Sequence, residues 1–383
     1  MSLSEVKGQD RAVGLLKKSL ASGRLAHAYL FYGPEGVGKE LAAKNFAKLL
    51  NCRSSSQGEA CDFCEDCVAA ERHAHPDIIW LRPQGPGRMI RIGNPVNPEK
   101  GTVRHFQKMI ALKPYMGKWK VGIFADAHTL QKDAAGALLK TLEEPPSGTV
   151  LILVTSRPDM LLPTILSRCQ AVRFEAMPEE TLQGILRRDY SIPRAEAYDL
   201  SRLVEGRLGE AIRALREGRL AEARGLTKRL ADGGGGYWSA VSGLLGAIDG
   251  SVMRAEETVA WELAEKGIGA RRGKETSAVG DVAKEDDSGQ VAAFTACEIR
   301  RRQEELLKEL LIWYRDVMVW KLTESGALLV GAGGSESVAR AADGMSLERI
   351  QESIRRIEGA LRSVRGNTDF HTVVENLLVQ LTA

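Results

Sequence analysis

A short glycine-rich stretch near the start of this sequence has residue types that could hold phosphate. In GPEGVGKE, the glycines and the lysine have the spacing of a phosphate-binding loop: Gly33, Gly36, Gly38 and Lys39. Such a loop cradles phosphates with backbone N–H groups and a helix N-terminus, its lysine contacts the terminal phosphates, and the next residue, Ser or Thr, holds Mg²⁺. Here the next residue is Glu40. The pattern predicts the shape of a nucleotide site with altered metal chemistry.

Two departures from an ATPase pattern weaken the prediction of nucleotide turnover. A carboxylate near the terminal phosphates would be repelled by roughly 4 kcal/mol at about 4 Å and an effective dielectric of about 20. ATPases of this kind also need a Mg²⁺-orienting Asp and a water-activating Glu at a strand end, where this chain has Ala125 and Asp126. Both an inherited structural turn and residual binding without turnover remain open.

A cluster of cysteines could hold a metal ion. Four of the six cysteines follow the pattern C-x8-C-x2-C-x2-C: Cys52, Cys61, Cys64 and Cys67. Steps of C-x2-C suit tetrahedral Zn²⁺, and four thiolates leave no open position for water. Polar neighbours such as Arg53 and Asp62 argue against ordinary buried thiols, and a redox pair would not explain four cysteines. The spacing predicts a structural zinc module at 52–67.

The bulk composition limits the class of protein. With 383 residues, 44% of them hydrophobic, the chain has material for two or three domains. The balance of 53 Lys+Arg and 50 Asp+Glu leaves a charge of +3, too small to predict nucleic-acid binding by itself. No secretion signal or membrane span is evident, so a cytoplasmic location and no membrane partner are expected.

The elements that position these residues follow from hydrophobic patterning in residues 1–176. Five short apolar runs alternate with helical segments, and they read as strands: HAYLFY, PDIIWL, KVGIFA, TVLILVT and AVRFEA. This alternation predicts an α/β fold, a parallel sheet with helices on both faces. The glycine loop would join the first strand to the helical segment KELAAKNFAKLL.

The rest of the chain lacks strand patterns. Residues 177–236 predict a small helical lid domain that ends at the glycine run DGGGG. Residues 237–383 predict an all-helical domain, with a disordered insertion around 266–290 where charged residues and glycines replace apolar ones.

These stretches together resemble the clamp-loader subunits of bacterial DNA polymerase III, which are AAA+ proteins. The matching segments are GQDRAV, HAYLFYGPEGVGK, the four-cysteine module, LKPYMGKWKVGIFADAHTL, AAGALLKTLEEPP and PTILSRC, with weaker matches in WYRDVMVWKL and VVENLLVQL. They cover almost all of residues 1–176. The resemblance implies an AAA+ core, a helical lid and a helical collar domain that mediates oligomerisation.

The departures from the family pattern all point to one branch of it. The nucleotide-sensing lid arginine of the hydrolysing gamma/tau subunits falls on Gly209, with Arg207 two residues earlier, and the sensor-one position maps to Thr155. The resemblance therefore implies a delta-prime subunit, a non-hydrolysing member that closes one end of a pentameric ring. ATP binding is expected to be weak or absent.

One functional residue of the family is retained. The motif Ser167-Arg168-Cys169 matches the one whose arginine reaches the ATP of the neighbouring subunit. An arginine supplied in trans can be worth about 10³ to 10⁵ in turnover. Without the motif, a surface arginine paired with a local carboxylate would be the ordinary reading.

The resemblance also implies partners: the gamma/tau and delta subunits in a hetero-pentameric ring, the sliding clamp, and primer-template DNA bound through the complex. The chain would be part of the DNA polymerase III holoenzyme without an ATPase activity of its own. Two alternatives stay open. One is an ATP-hydrolysing clamp-loader subunit whose metal site is altered by Glu40 and Asp126; the other is a zinc-dependent nucleic-acid-binding module, which the small basic excess disfavours.

Overall fold

The architecture comes from a computed structural model that describes residues 2–84, 89–216, 283–329, 335–365 and 368–382. The chain divides into two compact units, each defined by the contacts among its own residues. The first contains the chain up to Pro178 together with Arg207–Glu210 and the described residues of Leu263–Ala293. The second contains Glu179–Gly206 and the described residues of Ala211–Glu262 and Phe294–Ala383.

The first unit is built on a five-stranded parallel sheet. Its strands are β1 (Ala28–Tyr32), β2 (Ile78–Leu81), β3 (Lys120–Phe124), β4 (Thr149–Thr155) and β5 (Gln170–Arg173), in the spatial order β2-β3-β4-β1-β5. All five strands predicted from the sequence are confirmed. Since β1 lies between β4 and β5, the loop that follows it leaves the sheet beside two strand ends.

Helices cover both faces of this sheet. They are α1 (Asp10–Ala21), α2 (Lys39–Asn51), α3 (Glu65–Glu71), α4 (Val103–Ile110), α5 (Lys132–Glu143) and α6 (Pro163–Leu166), with short 3₁₀ turns at Leu3–Glu5, Ala127–Thr129 and Pro158–Met160.

Alternate strand residues enter two separate cores, as the period of two requires. Tyr29 and Phe31 pack with α1 and α2, whereas Ala28 and Leu30 pack with α4 and α5. The predicted α/β class is confirmed.

The described residues of the second unit are helical. Its helices are α7 (Glu179–Asp189), α8 (Arg194–Leu203), α9 (Leu208–Arg216), α10 (Ala283–Thr323), α11 (Ser335–Gly344), α12 (Leu347–Arg365) and α13 (Phe370–Thr382), with a 3₁₀ turn at Gly326–Leu328; the first residues of α9 and of α10 belong to the first unit. The last four pack around a common core that includes Trp313, Val317, Ile357 and Val374. A helical C-terminal region is thereby confirmed.

Parts of the predicted domain plan lie outside the described residues. These are the glycine run at 232–236 and residues 266–282 of the predicted insertion. The last residues of that insertion, from Ala283 onward, begin helix α10. The domain boundaries remain predictions. Among the described helices, none is long and apolar enough to cross a membrane.

Candidate functional site

The glycine loop lies where the sequence predicts it, between the end of β1 and the start of α2. Gly33, Gly36 and Gly38 have φ values of 145°, 77° and 95°. A Cβ placed on Gly33 would come within 2.0 Å of the carbonyl oxygen of Phe174. Positive φ and this close approach both favour glycine, so the loop has the backbone shape of a phosphate cradle.

Lys39 is directed at the loop itself. Its Nζ donates hydrogen bonds to the carbonyl oxygens of Gly33 at 2.8 Å and Pro34 at 2.5 Å. The residue is 8% exposed. Burial lowers the pKa of the ammonium group to about 8, against the opposing effect of Glu35, Asp126 and Glu40. In this arrangement two loop carbonyls occupy two of the three donors with which the lysine would hold phosphate.

The start of α9 packs against the same loop. The N–H of Gly209 donates to the carbonyl oxygen of Gly36 at 2.8 Å. A Cβ on Gly209 would lie 2.7 Å from that oxygen, and one on Gly36 would lie 3.2 Å from the backbone nitrogen of Glu210. The position at which the sequence places the missing lid arginine is therefore a backbone contact with no room for a side chain.

Glu40 is paired. Its Oε2 accepts a hydrogen bond from Nη1 of Arg82 at 2.9 Å, and the guanidinium of Arg82 lies 4.4 Å from the ring centre of Trp80. Because a partner cation offsets the carboxylate charge, repulsion of a phosphate here is smaller than for the isolated carboxylate considered from the sequence. The hydroxyl ligand for Mg²⁺ remains absent at this position.

The strand ends beside the loop carry few groups for metal chemistry. Ala125 is buried, and Asp126 follows it with φ of 49°. Thr155, at the sensor-one position, is fully buried; its Oγ1 lies 3.2 Å from Nδ1 of His128 and accepts from the N–H of Arg157 at 3.0 Å. Local hydrogen bonds thus occupy the Thr155 hydroxyl.

Arg168 lies elsewhere, between α6 and β5. Its Nη2 donates to Oε1 of Glu143 at 2.7 Å, and its Nη1 donates to the carbonyl oxygen of Thr164 at 3.0 Å. The arginine side chain is 35% exposed and that of Glu143 is 49% exposed. In the single chain, the arginine is therefore paired with a local carboxylate. This pairing is the ordinary alternative that the sequence left open. Burial raises the pKa of the adjacent Cys169 to about 12, which disfavours its thiolate form.

The four cysteines of the predicted zinc module are brought together. The Sγ atoms of Cys52, Cys61, Cys64 and Cys67 all lie within 4.8 Å of one another, and those of Cys61 and Cys67 are 3.9 Å apart. Four sulfurs at about 2.3 Å from one tetrahedral ion would be roughly 3.8 Å apart. The donor set and its spacing fit a metal ion.

Hydrogen bonds from the backbone prepare this cluster. The N–H of Cys61 donates to Sγ of Cys52 at 3.3 Å, and the N–H of Cys64 donates to Sγ of Cys61 at 3.4 Å. Despite burial, these N–H donors from Cys64 and Phe63 lower the pKa of Cys61 to about 6. Burial raises the pKa of Cys52 and Cys67, so a bound cation would be needed to hold these two as thiolates.

A buried polar network supports the cysteine module from behind. Asp66, next to Cys67, accepts from Nε of Arg53 at 2.6 Å and lies 3.2 Å from Nε2 of His75. The N–H of Asp77 donates to Nδ1 of His75 at 3.0 Å, which leaves Nε2 to carry the proton directed at Asp66. The module is thereby connected to the residue that precedes β2.

Asp77 is a structural centre that sequence reasoning missed. Its fully buried carboxylate accepts from the N–H groups of Tyr115, Met116 and Gly117, each at 2.8 Å, and from Nζ of Lys120 at 2.9 Å. These donors overcome burial and hold the pKa of Asp77 far below its usual range. A carboxylate just before the strand pattern PDIIWL is a weak signal, because its donors lie about 40 residues further along the chain.

Comparison with known proteins points to one family. Residues 8–178 match the protein family described as "DNA polymerase III, delta subunit". This segment contains the glycine loop, the four cysteines and Arg168.

Relatives carry two different names. The chain is 33% identical to the DNA polymerase III subunit gamma/tau of Mycobacterium bovis over 189 residues, which are 49% of this chain and 31% of that protein. It is 31% identical to the DNA polymerase III subunit delta' of Bacillus subtilis over 219 residues, which are 56% of this chain and 62% of that protein. The chain therefore spans about a third of the first relative's length and less than two thirds of the second's.

A solved structure extends over the whole chain at lower similarity. The gamma subunit-related protein of Thermotoga maritima is 15% identical, covers 97% of this chain and 98% of its own, and gives a TM-score of 0.42. Structural similarity at this TM-score carries no argument about family or function.

Proposed function

We propose that this chain is the delta-prime subunit of the DNA polymerase III clamp loader, because residues 8–178 match the family described as "DNA polymerase III, delta subunit" and the chain resembles gamma/tau and delta' subunits. In this role it would help to place the sliding clamp on primer-template DNA as part of the holoenzyme. It would occupy one position of a hetero-pentameric ring with gamma/tau and delta subunits and hydrolyse no ATP itself.

The closed glycine loop is the observation that carries the proposal. Lys39 is buried and donates to carbonyl oxygens of its own loop, and Gly209 contacts Gly36 from the other side. To hold a triphosphate, the chain would have to break these hydrogen bonds and rehydrate or re-pair each group. Net losses of about 0.5 to 1.5 kcal/mol per hydrogen bond would be subtracted from any binding free energy.

Arg168 is the residue through which this subunit would act on its neighbour. Its pair with Glu143 is about half exposed, and pairs of this kind contribute only about 0.2 to 1 kcal/mol. A stronger anion, such as the developing charge on a neighbour's transferring phosphate, can therefore displace Glu143. We therefore propose that this subunit has kept the arginine that acts at its neighbour's ATP site and has lost its own nucleotide site.

The cysteine cluster would hold a structural Zn²⁺. Cys52, Cys61, Cys64 and Cys67 supply all four positions of a tetrahedral site, so no position is left for a reacting water. When bound, the ion supplies cross-linking of the segment between α2 and α3 and no catalytic chemistry. Asp66 and His75 would orient the segment around Cys67 through their hydrogen bond.

Nucleotide assays with the isolated chain and with its ring partners test the proposal. We expect no Mg-ATP binding or turnover by the isolated wild-type chain. The Glu40→Thr variant, which restores the hydroxyl ligand, should also fail to bind, because Lys39 and Gly209 still close the loop. With gamma/tau and delta added, turnover should appear and should depend on Arg168.

The same assays decide the main alternative, an ATP-hydrolysing subunit with an altered metal site. The pairing of Glu40 with Arg82 favours that reading to some degree, because it reduces the negative charge next to the loop. Hydrolysis by the isolated chain that disappears in Lys39→Ala would establish the alternative and overturn the proposal.

Metal content tests the zinc assignment separately. Protein purified without chelators should contain about one Zn²⁺ per chain, and Cys64→Ser should reduce that content. Removal of the ion should loosen the segment around 52–67 in hydrogen exchange more than the sheet. A wild-type protein with no stoichiometric metal, whose exchange at 52–67 is unchanged by chelator, would contradict the assignment.

A further inference from the structure

A groove on the first unit belongs to none of the sites above. It follows the outer face of α1 and ends at Gln170, the first residue of the edge strand β5. It is an open surface depression of about 910 Å³. Gly14 and Leu15 form part of the lining. Its size and its position along a helix suit an elongated ligand.

Three exposed cations line this groove. Arg11, Lys18 and Arg24 are all exposed, and their side chains make no ion pair or hydrogen bond with any residue that the structure describes. The adjacent Lys17 differs, because its Nζ pairs with Oε1 of Glu59. The groove thus concentrates positive charge that the described chain leaves without counter-ions, opposed in the lining only by Asp10.

We propose that this groove binds an extended, acidic segment of a partner protein. The three cations require anionic groups on the ligand, and the concave shape suits a single chain. Single-stranded nucleic acid is the less suitable anion, because its binding sites combine cations with aromatic side chains for base stacking. No aromatic residue lines the groove. This inference is independent of the role proposed above for the glycine loop and Arg168.

The geometry of α1 indicates how the acidic groups would be spaced. Arg11 and Lys18 are separated by two helical turns, about 10 Å along the axis at 1.5 Å per residue. A peptide in the polyproline II conformation rises about 3.1 Å per residue with three residues per turn, so it covers that distance in about three residues and returns every third side chain to the same face. An acidic side chain at every third position would therefore meet successive cations.

Peptide binding to the full chain tests the charge requirement. The probe is a labelled twelve-residue peptide of repeated Glu-Val-Thr, followed by fluorescence anisotropy at low salt. We expect it to bind more tightly than a peptide of the same composition with all glutamates at one end. The triple variant Arg11→Glu, Lys18→Glu and Arg24→Glu should weaken binding about tenfold or more. The control reverses three exposed lysines outside the groove, Lys108, Lys113 and Lys118, and should change binding less than twofold.

A second variant tests the groove's shape without changing its charge. A Cβ on Gly14 would meet nothing within 4 Å, so Gly14→Met places its side chain in open space. Replacing a mid-helix glycine should stabilise α1, so loss of binding could not be attributed to unfolding. Gly136→Met in α5, which also faces open space, is the matched control. We expect Gly14→Met to weaken peptide binding at least fivefold and Gly136→Met to leave it unchanged.

Three outcomes would overturn the inference. One is the absence of peptide binding at millimolar concentration. Another is peptide binding that survives both charge reversal and Gly14→Met. The third is tighter binding of a ten-nucleotide oligothymidylate that is lost in the triple charge variant, which would make the groove a nucleic-acid site.

Discussion

The glycine loop and the surface around Arg168 differ in how accessible their charged side chains are. At the loop, the lysine is buried and its donors are directed at Gly33 and Pro34. At the other surface, Arg168 is about one third exposed and donates to the half-exposed carboxylate of Glu143 and to the carbonyl oxygen of Thr164. The cost of freeing the group is therefore high at the loop and low at the arginine. One subunit can keep the fold of a nucleotide-binding protein while only its outward-facing residue stays available for chemistry.

The same contrast appears among the other charged groups of the first unit. Asp77 is fully buried, and four donors contact its carboxylate. The side chains of Arg11, Lys18 and Arg24 are exposed and have no partner among the described residues. The buried carboxylate holds chain segments in position, whereas these three cations are available to other molecules. The distinction can be tested one residue at a time.

The largest effect is expected at Arg168. In an assembled complex whose other ATP sites are inactivated, Arg168→Ala should reduce turnover at the neighbouring site about 10³-fold, because the arginine would meet charge that develops in the transition state. Assembly should be unaffected. Arg173→Ala is the matched control, since this exposed arginine also pairs with a local carboxylate, that of Glu175, at 3.2 Å. Equal turnover in both variants would remove the proposed difference between the two regions.

The next largest effect concerns the buried carboxylate. Asp77→Asn should destabilise the first unit by about 3 to 5 kcal/mol at pH 7, because Lys120 loses its counter-charge and an amide N–H₂ faces backbone donors. Urea unfolding measures this difference, and the exposed Asp159→Asn is the control.

The pH dependence of that difference has a definite sign. The folded-state pKa of Asp77 lies below the unfolded value of about 3.9, so the carboxylate stabilises the fold fully above that value. The gap between wild type and Asp77→Asn should therefore be constant above about pH 5 and shrink as the pH falls below 4. A gap that grows on acidification would contradict the assigned network.

The smallest effect of the three concerns Lys39, and it appears at high pH. Burial lowers its pKa from 10.5 to about 8, so the unfolded chain binds this proton more strongly than the folded one. Wild type should gain about 2 to 3 kcal/mol over Lys39→Met between pH 7 and pH 10. The exposed Lys140→Met is the matched control. A flat difference across this range would mean that the lysine is solvated and the loop is open.

Much of the first unit was predictable because its signals are local. Short apolar runs between helical segments gave all five strands, and the spacing of the cysteines gave a cluster whose sulfurs do converge. The glycine loop followed from Gly33, Gly36 and Gly38, whose positive φ values suit that residue type. The sequence also aligned the nucleotide-sensing lid arginine of the family with Gly209, and Gly209 is the residue whose N–H contacts the loop.

Other features depended on contacts between distant segments. The pairing of Glu40 with Arg82 spans 42 residues, and it offsets a charge that the sequence treated as isolated. The Asp77 network joins a residue before β2 to a turn about 40 residues away. The cation groove requires the outer face of α1 to lie beside the start of β5. A single sequence cannot specify these pairings, because each depends on the direction in which two separated side chains point.

The sequence by itself determined the residue types available to this protein: a phosphate-type loop without its hydroxyl, four thiols at metal spacing, and an arginine in a recognisable motif. The tertiary structure decided which of those groups are free to act. It buried Lys39 against its own loop and left Arg168 partly exposed. The physical reason is that pattern and spacing fix chemistry along a short segment. Whether a donor is satisfied or free depends on desolvation and on the partners that folding brings to it.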